Sequence, residues 1–369
     1  MNGIITQVEV FRLNIPLKAS VTIAIGTISE ARNILVKIHT SEGIYGVGEG
    51  APFWMIVGET QDSCLATARD FGRLLLGRPV WDIEGNLRLM DGYLTRNFTC
   101  KSAFDMAMYD AAAKYANMPL YQFLGGSKRR ITTDETIYID SPEAMAADAL
   151  AIKERGAEAI KVKLGKDPKE DIQRIKAIRR AIGDGLPLRV DANQGWDYVS
   201  AVQVLKAIAA YGVQYCEQPV KHWDYENLGR VRANSPIPIC ADESLFDHID
   251  ALKLAQKQSV DYFNIKLSKS GGINNALKIN SIAEAAGIPC MIGCMSESRL
   301  GITANTHLAS ARQNVVFYDL DSPFEHAIDP VIGGATYRNS YHLDLPETPG
   351  HGADFDPEFL GGLESFSVD

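Results

Sequence analysis

The sequence has no paired-cysteine motif, no excess of basic residues and no long hydrophobic run. Its six cysteines include no C-x-x-C pair and lie mostly in apolar, strand-like segments, so we expect buried free thiols rather than a disulfide framework or a zinc site. Lysine and arginine number 37 against 46 acidic residues, and the formal charge of −9 argues against a nucleic-acid or anionic-membrane partner.

No segment has the pattern of a membrane span or a leader. Apolar stretches such as 288–292 are far too short to cross a bilayer. The start, MNGIITQVEV, lacks the basic segment and long apolar stretch of a signal peptide. Free thiols are typical of a reducing compartment, so we expect a cytoplasmic protein. The chain of 369 residues, 46% hydrophobic and 22% charged, is long enough for a large core and about two domains.

The first third of the chain differs in pattern from the rest. Segments 8–15 and 33–40 are rich in β-branched residues and predict an antiparallel meander, while residues 60–125 show helical periodicity. The glycines of segment 41–50, SEGIYGVGEG, are spaced like those of a phosphate-binding loop. No clear helix of a βαβ unit follows them, so we do not expect nucleotide binding.

After residue 129, short apolar strands alternate with amphipathic helices, which indicates βαβ units and a parallel sheet. One polar or special residue near the end of each predicted strand recurs at intervals of 24 to 28 residues: Thr136, Lys163, Asp191, Glu217, Asp242, Lys266, Cys294 and Asp319. A period of about 26 residues over eight strands is typical of a (β/α)₈ barrel. An open doubly wound sheet is the alternative, but no glycine fingerprint for its ligand site is present.

Three successive predicted strands end in a carboxylate: Asp191, Glu217 and Asp242. Active sites of such barrels lie at the C-terminal ends of the strands, so these acids should meet at one rim. Three carboxylates without a cation would repel one another, and an all-oxygen set of this kind suits Mg²⁺. The alternative is that each acid only caps the helix that follows it.

Lysines occupy the strands that flank these acids. Lys161 and Lys163 are two residues apart on the second strand and face the same side, and Lys266 comes from the sixth. Because the second and sixth of eight strands are diametrically opposed, the lysines should face each other across the barrel mouth. A nearby cation and partial burial should favour the neutral amine, the form that acts as a base. A purely structural pairing with the acids is the alternative.

In combination, five motifs resemble the enolase superfamily, and within it the muconate-lactonizing enzyme subgroup. They are K-V-K (161–163), D-A-N (191–193), C-E-Q-P (216–219), A-D-E-S (241–244) and N-I-K-L-S-K-S-G-G (264–272). The resemblance covers nearly the whole chain. It implies an α/β fold in which residues 129–321 form a TIM-like barrel, modified to (β/α)₇β. Residues 1–128, completed by residues 322–369, would form an α+β capping domain.

The resemblance also implies a chemistry. Asp191, Glu217 and Asp242 would bind one Mg²⁺ per subunit, and the ion would hold the substrate carboxylate. Lys163 and Lys266 would lie on opposite faces of the α-carbon, where one removes the proton to give an enediolate and the other returns a proton. The third lysine, Lys161, would stabilise the negative charge that develops on the enediolate.

At the seventh strand end, this chain departs from the mandelate racemase branch of the superfamily. That branch has a histidine there, whereas this chain has Cys294, Met295 and Ser296. His307 falls about one helix later, and we interpret it as structural. Lys266 would therefore serve the second face of the α-carbon.

The eighth strand ends in D-L-D at 319–321, whose two carboxylates point the same way and need a cation. A helix cap or a loop ion pair would satisfy them. An Asp-x-Asp at this place also resembles the dipeptide epimerases of the superfamily, which implies that Asp319 and Asp321 bind the α-ammonium of a dipeptide. By the same resemblance, the peptide backbone would be contacted by Thr136, Cys294, Met295 and Ser296.

The prediction is thus an isomerase, a dipeptide epimerase that inverts the C-terminal residue of its substrate. Segment 22–29, expected to cover that residue, has no lysine or arginine, which favours substrates of the Ala-Ala or Ala-apolar type over an acidic second residue. The expected partners are the small-molecule dipeptide and further copies of the chain in a homo-oligomer.

Two other functions stay open. One is another enzyme of the same subgroup: N-succinylamino-acid racemase, o-succinylbenzoate synthase or muconate cycloisomerase. Their substrates lack a free ammonium, so the Asp-x-Asp pair would be a liability. The other is a non-catalytic small-molecule-binding barrel, which would have no use for two opposed lysines.

Overall fold

The computed structural model describes residues 3–369. The chain begins with an antiparallel meander, as the sequence predicts, formed by β1 (Ile5–Ile23), β2 (Gly26–Thr40) and β3 (Tyr45–Gly50). Helices follow it: α1 (Trp54–Val57), α2 (Gln61–Leu75), α3 (Ile83–Tyr93), α4 (Phe98–Tyr115) and α5 (Leu120–Phe123).

After the short strand β4 (Ile131–Thr132), eight parallel strands form one curled sheet in which chain order is also spatial order. They are β5 (Glu135–Ile137), β6 (Ile160–Lys163), β7 (Leu188–Asp191), β8 (Val213–Glu217), β9 (Ile239–Ala241), β10 (Tyr262–Ile265), β11 (Cys290–Ile292) and β12 (Val315–Tyr318).

Helices connect each of these strands to the next. They are α6 (Pro142–Glu154), α7 (Pro168–Ile182), α8 (Tyr198–Ile208), α9 (Tyr225–Asn234), α10 (His248–Lys257), α11 (Leu267–Ser270), α12 (Ile273–Ala286) and α13 (Arg299–Ala311). The last strand is followed only by a 3₁₀ turn at Ser322–Phe324. The predicted (β/α)₇β arrangement is therefore confirmed.

The first and last strands of the barrel meet through individual hydrogen bonds rather than a strand ladder. The backbone N–H of Asp134 donates to the carbonyl of Tyr318 at 3.3 Å. The backbone N–H of Thr136 donates to Oδ2 of Asp321 at 2.7 Å. An aspartate predicted to bind substrate therefore also helps to close the barrel.

The end of the chain returns to the N-terminal meander. Its elements are β13 (Val331–Gly333), β14 (Thr336–Arg338), β15 (His342–Asp344), β16 (Ala353–Phe355), α14 (Pro357–Gly361) and β17 (Ser365–Val368). The last of these strands pairs antiparallel with β1, where Val368 lies opposite Val8. Both ends of the chain therefore share one sheet.

Strand β3 packs directly on helix α4 because alternate residues of the strand are glycine. A Cβ on Gly46 would lie 1.9 Å from the carbonyl oxygen of Ala107, and one on Gly48 would lie 2.0 Å from that of Ala103. Both alanines are fully buried. The G-x-G-x-G pattern is thus a packing surface for a buried helix.

The six cysteines are buried and free, as expected. The helices within residues 3–369 include none with the length and apolar character needed to cross a membrane.

Gly48→Ala should destabilise the fold, because the added methyl group would overlap a helix carbonyl that is fixed by its own helix. We expect a loss of about 1–3 kcal/mol in the free energy of unfolding, measured by urea denaturation. Gly92→Ala is the matched control, since nothing lies within 4 Å of a Cβ there and alanine favours its helix. Equal stability of the two variants would contradict the packing role.

Candidate active site

The predicted site residues converge at the C-terminal mouth of the barrel. Eight of them line one cavity: Thr136, Lys163, Lys266, Cys294, Met295, Ser296, Asp319 and Asp321. The other four are at most 1% exposed: Lys161, Asp191, Glu217 and Asp242. Lys161, Asp191 and Asp242 form ion pairs with Asp319, Lys163 and Lys266 of the cavity wall, and Glu217 is joined to them through Lys161. The structure thus brings the whole predicted set together.

Parallel register explains why residues so far apart in sequence share one level. Lys163 lies opposite Asp191 in the ladder of β6 and β7, and Asp191 lies opposite Glu217 in the ladder of β7 and β8. Asp242 follows the end of β9, and its backbone N–H donates to Oε1 of Gln218 at 3.0 Å. Gln218 itself has a left-handed backbone with φ of 35°, a costly conformation that is typical of functional loops.

Lys161 connects the acids that the sequence presents as two separate groups. Its Nζ lies 2.6 Å from Asp319 Oδ2, 2.8 Å from Glu217 Oε2 and 3.4 Å from Asp191 Oδ2. Burial opposes the charged form, but the three carboxylates outweigh burial and raise the pKa of Lys161 well above its usual value. Lys161 is therefore a fixed ammonium.

We call the three predicted metal ligands, Asp191, Glu217 and Asp242, the triad. Each of the two opposed lysines contacts one acid of this triad. Nζ of Lys163 lies 2.7 Å from Asp191 Oδ2, and Nζ of Lys266 lies 2.8 Å from Asp242 Oδ2. Burial disfavours the ammonium of Lys266, but the charges of Asp242 and Glu217 outweigh it and raise its pKa. This direction is opposite to our expectation of a neutral amine, because the structure adds direct contact with an anion.

The triad of acids fits a hard divalent cation by its donor set. All three side chains are fully buried and offer only oxygen. Burial and the charge of Asp191, opposed by Lys161, raise the pKa of Glu217 to about 7. Oε2 of Glu217 and Oδ2 of Asp242 accept no hydrogen bond of good geometry, although lysine ammoniums lie 2.8 Å away. Buried carboxylates with oxygens that accept no hydrogen bond of good geometry suit Mg²⁺.

The site contains a second group of side chains that could bind a metal. Within residues 3–369, the one group of three ligating side chains whose atoms lie within 4.8 Å of one another is Cys294, Asp319 and Asp321. Each carboxylate of the triad instead has a lysine ammonium within 2.8 Å. The two groups therefore differ in their ligand atoms and in their lysine contacts.

Four buried polar residues around the triad were not singled out from the sequence. The main one is Lys269, whose Nζ lies 2.6 Å from both Oδ1 and the carbonyl of Asp242. The other three are Asn264, Asn193 and Glu243. Asn264 donates to Glu217 Oε1 at 2.6 Å, and Asn193 donates to Glu243 Oε1 at 3.2 Å. All four lie inside the motifs that carry the family resemblance, and that position was the available signal.

The Asp-x-Asp pair is only half neutralised. Burial opposes ionisation of Asp319, but Lys161 and Lys163 outweigh it and lower its pKa to about 2. Burial and the charges of Asp319 and Asp134 instead raise the pKa of Asp321 well above its usual value. The cavity therefore contains a carboxyl group whose ionisation a bound cation would favour.

The N-terminal region covers the mouth with apolar side chains. Its contribution to the cavity wall, within the described residues, is Leu17, Val21, Ile23, Ile28, Phe53 and Ile56. Four of these residues come from β1 and β2, and two of the four, Ile23 and Ile28, lie in segment 22–29, which was predicted to cover the substrate. The charged groups of the wall all come from the barrel and the segment after it.

His307 lies outside this cavity, in agreement with its structural interpretation. Its Nδ1 accepts a hydrogen bond from the backbone N–H of Tyr121 at 3.1 Å, and its Nε2 lies 3.1 Å from the carbonyl of His351. Burial lowers the pKa of His307 to about 3, so the ring is neutral.

Known proteins are similar to this sequence over nearly its whole length. Residues 5–125 match the family model "Mandelate racemase / muconate lactonizing enzyme, N-terminal domain", and residues 144–359 match "Enolase C-terminal domain-like". The D-Ala-D/L-Ala epimerase of Cytophaga hutchinsonii is 44% identical over 99% of this chain and 100% of its own length. The hydrophobic dipeptide epimerase of Enterococcus faecalis is 44% identical over 94% of this chain and 99% of its own length.

Solved structures agree with the sequence matches. The dipeptide epimerase from Cytophaga hutchinsonii, complexed with Mg and D-Ala-L-Val, is similar with a TM-score of 0.98 at 44% identity, covering 99% of this chain and 100% of that one. The dipeptide epimerase from Enterococcus faecalis, complexed with Mg and L-Leu-L-Tyr, has a TM-score of 0.93 at 44% identity, covering 95% and 99%.

Proposed function

This chain belongs to the mandelate racemase/muconate lactonizing enzyme family of the enolase superfamily, and from that membership we propose that it is a Mg²⁺-dependent dipeptide epimerase. One observation carries the proposal: a single cavity holds lysines from the second and sixth strands, beside a buried acid triad and an under-neutralised aspartate pair. The epimerase relatives at 44% identity support it.

Asp191, Glu217 and Asp242 would hold the metal ion. When bound, Mg²⁺ would neutralise the substrate carboxylate and stabilise the negative charge that develops beside it. The ammonium of Lys161, fixed by three carboxylates and absent from the cavity wall, would add electrostatic stabilisation without taking part in proton transfer.

Lys163 and Lys266 would move the α-proton. Their strands are four positions apart in the order of eight, so an α-carbon bound between them has one amine on each face. Removal of the proton by one lysine and delivery of a proton by the other inverts the centre. The inverted residue is the C-terminal one, because its carboxylate is the group that the metal site would receive.

Asp319 and Asp321 would bind the α-ammonium of the N-terminal residue, which supplies the cation that Asp321 needs. The backbone of the peptide would contact Thr136, Cys294, Met295 and Ser296. An N-succinyl substrate would instead bring a carboxylate toward the two aspartates, which disfavours the N-succinylamino-acid racemase alternative. A non-catalytic binding protein would not explain the opposed lysines.

The substrate's C-terminal side chain would be small or apolar, as in Ala-Ala or Ala-apolar dipeptides. The six cap residues on the cavity wall are all apolar and offer no partner to an acidic side chain. Relatives named for D-Ala-D/L-Ala and for hydrophobic dipeptides support this preference.

We also infer a capping domain at 1–128 and 322–369 around a barrel at 129–321, which the pairing of β17 with β1 supports. The six buried free thiols support a cytoplasmic location. Exposed apolar side chains such as Val199 and Trp223 would suit contacts between copies in a homo-oligomer.

Incubation of the protein with Mg²⁺ and L-Ala-L-Val in D₂O should exchange the α-proton of the C-terminal residue for deuterium, read by mass spectrometry and located by NMR. A chelator should abolish the exchange, and added Mg²⁺ should restore it. Full exchange in excess chelator would contradict the metal role. Faster turnover of N-succinylamino acids than of any dipeptide would contradict the proposed substrate.

Lys163→Ala and Lys266→Ala should each lower the rate of epimerisation by about a hundredfold or more, the effect of a lost acid or base. In D₂O, each variant should still exchange the α-proton of one stereoisomer faster than that of the other, with opposite preferences. The exposed Lys166→Ala is the matched control and should behave as wild type. Variants that exchange both stereoisomers equally would refute the two-base assignment.

Asp321→Asn should reduce kcat/KM for dipeptides more than for N-acylamino acids, because it removes the charge that would face the ammonium. An asparagine oxygen can still accept the barrel-closing hydrogen bond from Thr136, so we expect the fold to persist, as checked by thermal denaturation. The exposed Asp184→Asn serves as control. An equal loss for both substrate classes would argue against the ammonium contact.

A further inference from the structure

One corner of the cavity brings a sulfur atom together with two carboxylates. The ligating atoms of Cys294, Asp319 and Asp321 lie within 4.8 Å of one another, and Sγ of Cys294 lies 3.8 Å from Oδ1 of Asp321. All three side chains line the cavity and are 8%, 3% and 6% exposed, respectively. They can therefore reach a small ligand that enters the cavity while excluding most water.

Each aspartate in this corner is oriented by a contact to its other oxygen. Oδ2 of Asp319 accepts a hydrogen bond from Lys161 at 2.6 Å, and Oδ2 of Asp321 accepts one from the backbone of Thr136 at 2.7 Å. Within residues 3–369, Oδ1 of Asp319 has no hydrogen-bond donor, and the Cys294 thiol is the one donor to Oδ1 of Asp321. The two Oδ1 atoms are thus held in place before any ligand arrives.

A cation that binds Cys294 would displace the thiol proton to solvent, and the resulting thiolate with two carboxylates is a ligand set for ions of the zinc class. Zn²⁺ binds sulfur at about 2.3 Å and carboxylate oxygen at about 2.0–2.2 Å in a tetrahedron, which puts neighbouring ligand atoms about 3.5 Å apart. The observed 3.8 Å between sulfur and oxygen is close to that spacing. Mg²⁺ prefers six oxygen ligands, so this corner and the acid triad favour different metals.

We propose that Cys294, Asp319 and Asp321 bind one zinc-class divalent cation, and that this ion competes with the substrate for the corner. The binding site stands on the geometry of the three side chains. The competition rests on the proposed function, which places the dipeptide ammonium at the same aspartates. Micromolar thiophilic metal would then inhibit the enzyme without displacing Mg²⁺.

The test titrates the full-length protein with Co²⁺ in the presence of saturating Mg²⁺. A cobalt–thiolate bond produces near-ultraviolet charge-transfer absorption that carboxylate ligands do not produce. We expect this band to saturate at one equivalent of Co²⁺ and to disappear when Zn²⁺ is added. Cys294→Ser should lose the band, whereas the matched control Cys290→Ser, another buried free thiol, should retain it.

Two further variants distinguish Co²⁺ binding at the corner from Co²⁺ binding at the triad. Asp242→Asn alters the triad and should keep the band. Asp321→Asn should weaken Co²⁺ binding. It also serves as the second test if Cys294→Ser does not fold. Absence of the band from the wild type, or a band that survives Cys294→Ser, would overturn the site. Survival of full Co²⁺ affinity in Asp321→Asn would overturn the ligand set.

Competition is measured with the same signal. Added L-Ala-L-Ala should bleach the band, N-acetyl-L-alanine should leave it unchanged, and Zn²⁺ should raise KM for the dipeptide at constant kcat. A band that no dipeptide affects would support the cation site and overturn the competition. Lack of epimerisation with every dipeptide would contradict the proposed function instead, so the two failures are distinguishable.

Discussion

The buried ammonium of Lys161 joins the two halves of the site. It contacts Asp191 and Glu217 on one side and Asp319 on the other, so it links acids from the third, fourth and eighth strands of the barrel. A buried charge without a partner costs on the order of several kcal/mol, so neither the lysine nor these acids would be stable there alone. The ion pairs of this network therefore stabilise one another.

The barrel fixes the positions of the charged groups in this network, and the cap provides their apolar surroundings. Parallel ladders fix the level of each acid, as in the register that sets Lys163, Asp191 and Glu217 side by side. The cap adds an apolar wall, and in such surroundings hydrogen bonds and ion pairs are stronger than in water. Asp321 couples the two tasks, because one of its oxygens closes the barrel while the other faces the cavity.

The regular succession of strands and helices in the barrel could be predicted from the sequence. Contacts that depend on individual turns and on barrel closure could not. A period of strand-end residues shows directly in the chain, so the eight strands and the convergence of their acids were predictable. Lys269 was not, because its contact with Asp242 depends on the turn of helix that follows β10. Nor was the barrel-closing bond of Asp321, since it forms only where the first and last strands meet.

The protonation of the lysines shows the same limit. From sequence, a cation near an amine favours the neutral form, but the outcome depends on separations of a few ångströms that only the folded site defines. Direct contact with Asp242 reverses the direction for Lys266. The glycines of β3 are a parallel case, since their spacing became interpretable once Ala103 and Ala107 were seen to press against them.

The acids of the mouth differ in ionisation because they differ in their lysine partners. Burial opposes ionisation of Asp319, but Lys161 and Lys163 outweigh it and lower its pKa to about 2. Burial and neighbouring carboxylates instead raise the pKa of Asp321 well above its usual value, and burial and Asp242 raise the pKa of Glu243 to about 8. A cation that enters the cavity would favour the ionised form of Asp321, because an opposite charge nearby stabilises a carboxylate. Two aspartates of one short motif therefore offer a ligand different things: Asp319 a charge that Lys161 already balances, and Asp321 a carboxyl group that a cation would ionise.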